Sequence, residues 1–235
     1  MVNGYTVKLC GTTTVEDARL AAREGADSFG VVVEVEFSPR SLTIDQARAL
    51  FRSPPIPAVA LVYHMPEDRL EHLAEELAPF AVQFLSQEEP GVLRRFKAKH
   101  PGIEVWQSIH LPAAGEPAEL GKAREAVRAY TDAGADVLLF DTVATLQGKR
   151  KFGGTGLTSD WALVKKLMAE LDSSVPVLLA GGIRPENTAE ALIAVNPDGI
   201  DLCSGVEASP GRRDPAKVRA LMAAVASVAA REERR

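Results

Sequence analysis

The sequence predicts an α/β protein, a single (βα)8 barrel of the TIM-barrel type that spans residues 1–235. Three observations lead to this fold class. Short β-branched apolar runs alternate with longer stretches in which Ala, Leu, Glu and Arg recur at helical spacing. The alternation repeats eight times without a long linker or a break in composition. The length of 235 residues is close to the roughly 250 residues of a typical barrel of this kind.

Eight strands and eight helices follow from this alternation. The predicted strands cover residues 5–10, 28–35, 57–62, 81–84, 103–109, 136–141, 175–180 and 199–203. The predicted helices cover residues 14–24, 43–52, 66–77, 88–99, 117–133, 159–171, 185–195 and 214–230. Parallel strands joined in series by right-handed crossovers close most naturally into a barrel.

Capping residues and glycines support the ends of several helices. Thr14 precedes Glu16 and Asp17, an N-cap followed by acidic residues that suit the positive end of the first helix. Gly25 and Gly134 follow the first and fifth helices, where a left-handed residue commonly ends a helix. Further start signals are Pro66 before the third helix and Ser159 with Asp160 at the sixth.

A doubly wound open sheet is the alternative architecture for alternating strands and helices. That fold would place a glycine-rich turn directly after the first strand, where it binds a dinucleotide. Here the first strand runs into Cys10-Gly11-Thr12-Thr13, which matches that fingerprint poorly. The barrel is therefore favoured.

The net charge and the composition limit which classes of molecule the protein can bind. The net charge of -5 argues against a nucleic-acid groove, which needs a basic face, so we expect a small molecule as partner. The sequence has no apolar run of about 18 residues, and residues 1–14 lack the layout of a secretory signal. We expect a cytoplasmic monomer or homodimer with no membrane contact.

The two cysteines are too few for a disulfide framework, so both thiols are expected to be free.

The active site of such a barrel lies at the carboxyl ends of its strands. Glycine-rich segments follow the last three strands, and glycine lets backbone N–H groups converge on a phosphate. Tight βα turns are the alternative explanation for any one of these glycines. The predicted substrate-binding residues in these segments are Gly154, Gly156, Gly181, Gly182, Ser204 and Gly205.

Two ionisable side chains stand at strand ends. Cys10 ends the first strand next to Gly11 and is expected to point toward the ligand, where a thiolate can act as a base. Asp141 ends the sixth strand after four apolar residues and is either a site residue or a cap for the following loop. Cys203, in contrast, is interpreted as a small apolar core residue.

A set of short motifs runs in one order along nearly the whole chain. The motifs are Lys8-Leu9-Cys10-Gly11, Ser38-Pro39-Arg40, Leu139-Phe140-Asp141-Thr142, Gly153-Gly154-Thr155-Gly156, Leu179-Ala180-Gly181-Gly182-Ile183 and Ser204-Gly205-Val206-Glu207. In this order they resemble the phosphoribosylanthranilate isomerase family of tryptophan biosynthesis. The resemblance is far more specific than any single glycine motif.

The resemblance implies an Amadori rearrangement, in which the furanose of N-(5-phosphoribosyl)anthranilate opens and an aminoaldose becomes an aminoketose. It implies that Asp141 is the general acid that protonates the ring oxygen. Cys10 would be the general base that removes the C2 proton of the Schiff base. Arg40 would hold the anthranilate carboxylate, whose two oxygens suit a guanidinium fork. The family requires no metal and no organic cofactor.

Two segments depart from the family pattern and keep alternatives open. The usual Gln-Leu-His-Gly after the fourth strand is Gln83-Phe84-Leu85-Ser86 here. Glu34 and Glu36 follow the second strand and would weaken the binding of an anionic substrate unless they face away. The alternatives are a divergent relative that acts on another phosphorylated sugar or aminosugar, and a barrel that binds a phosphorylated ligand without turning it over.

Two other barrel enzymes compete less well. A metal-dependent epimerase is suggested by His64 and His110, which end the third and fifth strands, but no carboxylates stand at matching strand ends. Indole-glycerol phosphate synthase resembles the chain less, because no Lys ends the third strand at Leu61-Val62-Tyr63. We therefore expect no metal site.

Overall fold

Strands and helices alternate along the computed structural model, which describes residues 1–117, 119–146, 149–152, 158–171 and 175–230. Its strands are β1 (Thr6–Leu9), β2 (Ser28–Val32), β3 (Ala58–Val62), β4 (Ala81–Phe84), β5 (Glu104–Pro112), β6 (Val137–Leu146), β7 (Lys149–Phe152), β8 (Val177–Leu179), β9 (Gly199–Leu202), β10 (Glu207–Ser209) and β11 (Arg212–Arg213). Its α-helices are α1 (Val15–Arg23), α2 (Ile44–Phe51), α3 (Glu67–Leu77), α4 (Pro90–Lys99), α5 (Leu120–Asp132), α6 (Trp161–Ala169), α7 (Pro185–Val195) and α8 (Pro215–Ser227).

Eight of the described strands, β1 to β6 with β8 and β9, lie side by side in parallel and close into a barrel. β1 pairs with β2 on one side and with β9 on the other. β5 pairs with β6 and so joins the two ends of the sheet. A helix follows each of these strands before the next one begins. The predicted (βα)8 fold is confirmed.

The barrel strands are buried on both faces because helices cover the outside and side chains fill the inside. Every residue of β2, β3 and β4 is buried, which explains why these strands are continuous apolar runs. On β1, Val7 and Leu9 pack against the helices, whereas Cys10 belongs to the inner cluster. This alternation decides which strand residues can reach the barrel mouth.

The predicted capping residues occupy the expected positions. The Thr14 side chain accepts a hydrogen bond from the backbone N–H of Asp17, and the Asp160 side chain caps α6 in the same way. Gly25 and Gly134 have φ angles of 93° and 95°, the left-handed region in which glycine has no steric cost. The helix ends were therefore predictable from local chemistry.

The sixth strand differs most from its predicted bounds of 136–141. β6 continues to Leu146 and pairs with an antiparallel strand, β7, that the sequence did not predict. The neighbouring β5 also extends, and His110 to Pro112 pair with Asp141 to Val143. Pairing between two strands extended together stabilises backbone that would otherwise form a loop.

Other predicted bounds shift by a few residues at most. α5 begins at Leu120 rather than 117, and β9 ends at Leu202 rather than 203. A 3-10 helix, Ser204–Val206, follows β9 after one residue, Cys203. None of the described helices is both long enough and apolar enough to cross a membrane.

Candidate active site

A cavity of about 620 Å³ opens at the carboxyl ends of the barrel strands. This is the end at which barrels of this type hold their substrates. All the predicted site residues that the structure describes line this cavity: Cys10, Arg40, Asp141, Gly181, Gly182, Ser204 and Gly205. Gly154 and Gly156 lie outside the described residues. Residues from the first, second, sixth, seventh and eighth βα units thus meet at one mouth.

Cys10 stands at the end of β1 with its side chain on the inner face of the barrel. It is 9% exposed, and its backbone N–H donates to the carbonyl of Leu202 at 2.7 Å. A hydrogen bond from the Cys203 thiol lowers the pKa of Cys10, and the charges of Lys8 and Arg213 act in the same direction. The site therefore favours the thiolate form, which is the form that accepts protons.

Asp141 lies across the mouth on β6. Its Oδ1 accepts a hydrogen bond from the backbone N–H of Thr142 at 2.7 Å. Burial and the nearby carboxylate of Asp201 raise the pKa of Asp141 to about 7. The carboxyl can therefore hold a proton at neutral pH and donate it to a bound molecule.

A buried ion pair, Lys8 with Asp201, lies below these two groups. The Nζ of Lys8 donates to Asp201 Oδ2 at 2.7 Å, and the Lys8 side chain is 0% exposed. Burial opposes the lysine charge most strongly, but Asp201 together with Cys10 and Cys203 outweighs burial, and the pKa of Lys8 is raised. The second oxygen of Asp201 is buried without a hydrogen-bond partner in the described protein, and Asp201 lines the cavity.

Arg40 enters the mouth after β2 and is paired with Glu207. Its Nε donates to Glu207 Oε1 at 2.8 Å, and its terminal nitrogen donates to Oε2 at 2.5 Å. This forked hydrogen bond raises the pKa of Arg40 further. The geometry shows that the guanidinium is already oriented for a carboxylate.

The glycine turn after β8 has no room for a side chain at Gly181. Gly181 and Gly182 have φ angles of 81° and 66°, and a Cβ at Gly181 would collide with the Thr142 side chain. The turn therefore brings backbone against the cavity directly before α7 begins. That arrangement of backbone N–H groups and a helix start suits an anion.

The opposite side of the cavity, near β2 to β4, is largely apolar, with Gln83 on β4 as a polar exception. Leu61, Tyr63 and Leu85 line it, and Leu85 stands where the family usually has His. The exposed ring of Phe37 makes an edge contact with Tyr63 at a centroid distance of 4.9 Å. This wall can accept a flat apolar group beside Arg40.

The two glutamates after β2 do not line the cavity. Glu34 accepts a hydrogen bond from Arg69 Nε at 3.2 Å, and Glu36 is exposed. Neither carboxylate is among the residues around the mouth. The possible conflict between these acids and an anionic substrate is therefore removed by their orientation.

The interpretation of Cys203 as an apolar core residue was wrong. The residue is only partly buried and lines the cavity beside Cys10. The cause is its place one residue after β9, which turns the side chain toward the mouth. Its raised pKa, due first to the hydrogen bond with Cys10 and then to burial, keeps it a thiol.

The hairpin of β10 and β11 ties the end of the barrel to its beginning. The buried Arg213 contacts the carbonyl of Cys10 and donates to Thr12 Oγ1 at 3.2 Å. Thr13 Oγ1 donates to the carbonyl of Gly211 at 2.6 Å. These contacts fix the backbone on which the Cys10 thiol stands.

Several of these residues were missed by sequence reasoning. Lys8 and Glu207 stand inside the quoted motifs but received no role, and Asp201 and Arg213 were not considered. A charged residue inside an apolar strand, such as Lys8 in β1 or Asp201 in β9, was the available signal.

The histidines at the strand ends form no metal cluster in the described part of the chain. No group of three or more His, Cys, Asp or Glu side chains has suitable geometry among those residues. His64 is exposed and its Nδ1 lies 3.1 Å from Glu88, whereas His110 lines the mouth.

The fold and the cavity define a (βα)8-barrel protein with an ionisable carboxyl and an ionisable thiol at one mouth. Residues 7–224 match the family model described as N-(5'phosphoribosyl)anthranilate (PRA) isomerase. The chain belongs to this family, as its sequence motifs predicted.

Individual relatives agree with this assignment. The chain is 39% identical to N-(5'-phosphoribosyl)anthranilate isomerase of Methanocella arvoryzae, over 91% of this chain and 94% of that protein. A dimeric phosphoribosylanthranilate isomerase from Thermotoga maritima, solved as generated monomers, has a TM-score of 0.76 and 25% identity, over 94% and 98% of the two chains. The fold alone is shared with a structure of phosphoribosyl anthranilate isomerase in complex with reduced 1-(o-carboxyphenylamino)-1-deoxyribulose 5-phosphate, at a TM-score of 0.74 and 24% identity over 94% of this chain and 98% of that chain.

Proposed function

We propose that this chain catalyses the Amadori rearrangement of N-(5'-phosphoribosyl)anthranilate in tryptophan biosynthesis. One observation carries the proposal: a thiol with a lowered pKa and a carboxyl with a raised pKa, Cys10 and Asp141, line the same cavity. Family membership gives the substrate. The acid and the base have pKa values displaced in the directions that their roles need.

Asp141 opens the sugar ring. Its proton passes to the ring oxygen while the bond from C1 to that oxygen breaks, and the lone pair of the anthranilate nitrogen forms the Schiff base. The carboxyl can do this near neutral pH because its pKa is about 7. The ionised carboxylate that remains faces the positively charged Schiff base.

Cys10 then moves the second proton. Its thiolate takes the proton from C2, and the electron pair of that bond forms the double bond between C1 and C2 as the nitrogen recovers its lone pair. The resulting enolamine tautomerises to the ketone. The proton that Cys10 gains balances the proton that Asp141 loses, so exchange with water restores both groups.

Substrate binding divides between the two sides of the mouth. Arg40 takes the anthranilate carboxylate in place of Glu207, and the apolar wall takes the ring. Gly181, Gly182, Ser204 and Gly205 hold the phosphate. Gly154 and Gly156 join the phosphate site only on the strength of the family motif.

The direct test is turnover of the anthranilate ribotide by the purified protein without added metal. We expect conversion at a rate that restores tryptophan prototrophy in a strain lacking the isomerase. Binding of phosphate esters without conversion or complementation would contradict the proposal and favour the divergent relative. Cys10→Ala should abolish complementation while the circular dichroism spectrum is retained; full complementation by this variant would remove Cys10 from the mechanism.

Domain organisation, compartment, assembly and cofactor requirement form part of the same proposal. We propose that residues 1–235 work as one domain in the cytoplasm, as a monomer or homodimer, and without nucleic acid, metal or organic cofactor. The dimeric relative from Thermotoga maritima supports a homodimer. Light scattering at micromolar concentration distinguishes the two assemblies.

A further inference from the structure

The thiols of Cys10 and Cys203 lie side by side on neighbouring strands. β1 and β9 are paired in parallel, with Leu9 opposite Leu202 at their ends. Cys10 and Cys203 are the residues that follow directly, so they lie next to each other. Both side chains line the same cavity at this point of the barrel, and each thiol acts on the pKa of the other. A Cβ on Gly11 would come within 2.7 Å of the Cys203 sulfur, so a glycine at position 11 leaves the space that this thiol occupies.

The position of Glu207 decides where the Cys203 proton points. The sulfur of Cys203 lies 4.0 Å from Glu207 Oε1, the outer limit for a thiol hydrogen bond. That oxygen already accepts from Arg40 Nε at 2.8 Å and from the backbone N–H of Gly211 at 3.0 Å. The carboxylate also opposes ionisation of Cys203. In this structure the thiol of Cys203 donates to Glu207 Oε1, but a contact of this length is weak and can be exchanged for one to the sulfur of Cys10.

The other charged groups around Cys10 act through space. Those acting on it are Lys8 on β1, Asp201 on β9, Arg213 on β11 and Arg40 after β2, whereas Glu207 on β10 acts on Cys203. Asp201 opposes the thiolate, and Lys8 is neutralised in part by its ion pair with Asp201. A hydrogen bond to the sulfur itself is the contact that distinguishes the thiolate from the neutral thiol most directly.

We propose that Cys203 is a positioning residue that donates its S–H to the Cys10 thiolate and so keeps the base ionised and aimed at the substrate. The inference rests on the role of Cys10 proposed above. It adds a second thiol to the machinery, one that does not itself exchange a proton with substrate. When Cys10 is protonated, the Cys203 proton turns to Glu207.

The test measures the Cys10 thiol directly. The chain contains two cysteines, so Cys10 is the sole thiol in Cys203→Ala and Cys203→Ser. The rate of alkylation by iodoacetamide is followed from pH 5 to pH 10, and peptide mass spectrometry locates the label in the unmodified protein. Alanine removes the donor, whereas serine replaces it with a hydroxyl donor.

We expect the pKa of Cys10 to rise by about one unit in Cys203→Ala, which slows alkylation near pH 6 by about tenfold. The rates of the two proteins should converge at high pH. Cys203→Ser should stay within about threefold of the unmodified protein. Equal titration curves for all three proteins, or equal effects of alanine and serine, would overturn the inference.

Kinetics separate positioning from simple packing. In Cys203→Ala, kcat near pH 6 should fall about tenfold with KM nearly unchanged, and serine should restore it. A raised KM with an unchanged alkylation curve would show a packing role and overturn the inference. A shifted alkylation curve with unchanged kcat would leave the contact in place but refute Cys10 as the base. Cys203→Val, which keeps volume without a donor, gives the same comparison if alanine impairs folding.

Discussion

Asp201 and Asp141 are two carboxyl groups of the same barrel mouth, and their surroundings differ in one respect. Asp201 on β9 forms an ion pair with the ammonium group of the fully buried Lys8. Asp141 on β6 accepts a hydrogen bond from the backbone N–H of Thr142. Burial is the largest cause of the rise in its pKa. The placement of one cation therefore decides which carboxyl is ion-paired and which can keep a proton. Two carboxyl groups acquire different roles from their environments alone.

The largest effect should come from removing the proton donor of this pair. In Asp141→Asn, kcat should fall by about 10³, close to 4 kcal/mol of transition-state stabilisation, because an amide cannot protonate the ring oxygen. Steady-state assay of the ribotide measures this value. Asp201→Asn is the matched control, and we expect a smaller loss of kcat from it. An equal or larger loss would reverse the assignment of the acid.

The second-largest effect should be a loss of stability on removal of the Lys8 charge. Lys8→Met leaves Asp201 buried without its partner, and we expect a loss of about 3 kcal/mol in the free energy of unfolding. Urea titration followed by circular dichroism measures the change. The double variant Lys8→Met with Asp201→Asn should recover part of it, since no charge then remains unpaired. An unchanged midpoint in the single variant would show that the pair contributes nothing.

The two carboxyl groups should also differ in pH dependence. The native state keeps a proton on Asp141 up to pH of about 7, whereas the unfolded chain loses it near pH 4. The native state thus binds more protons in this window, and stability falls as pH rises from about 4 to 7.

Asp141→Asn removes this linkage. The unmodified protein should lose about 2 kcal/mol relative to the variant across that window, a value reduced from the full shift because the side chain is partly open to the cavity. Unfolding free energies at pH 4.5 and pH 8 for both proteins provide the measurement. A difference that does not change with pH would show that Asp141 is ionised throughout.

Glu207 is a third carboxylate for this comparison, and it accepts two parallel hydrogen bonds from the guanidinium of Arg40. Arg40→Lys keeps the charge but loses the two parallel hydrogen bonds. We expect KM to rise about tenfold, about 1.4 kcal/mol, with kcat nearly unchanged. Initial rates over a range of ribotide concentrations separate the two constants. A loss confined to kcat would place Arg40 near the reacting atoms instead.

The sequence predicted which residues lie at the mouth better than it predicted which side chains pair with one another there. Cys10 and Asp141 were predictable because each ends an apolar run, and parallel strands end at one mouth. The ion pair of Lys8 and Asp201 joins residues 193 positions apart, and no local pattern encodes that pairing. The same holds for Arg40 and Glu207, which are separated by 167 positions.

The extension of the sixth strand escaped prediction for a related reason. Residues 142–146 of β6 are paired with the extended end of β5 and with β7. Such pairing depends on where neighbouring strands lie in the folded barrel, and isolated strand propensity does not determine it. Cys203 was misinterpreted because its orientation depends on the end of β9, one residue earlier than expected.

The hairpin of β10 and β11 has a consequence for the order in which the protein is made. Arg213 contacts the carbonyl of a residue 203 positions earlier, so β1 leaves the ribosome long before the segment that fixes the Cys10 thiol. Contacts this distant in the chain close late, because the whole loop between them must be ordered first. Nascent chains that end before β9 therefore contain Cys10 but no finished catalytic mouth, and chemical competence arrives only with the final βα unit.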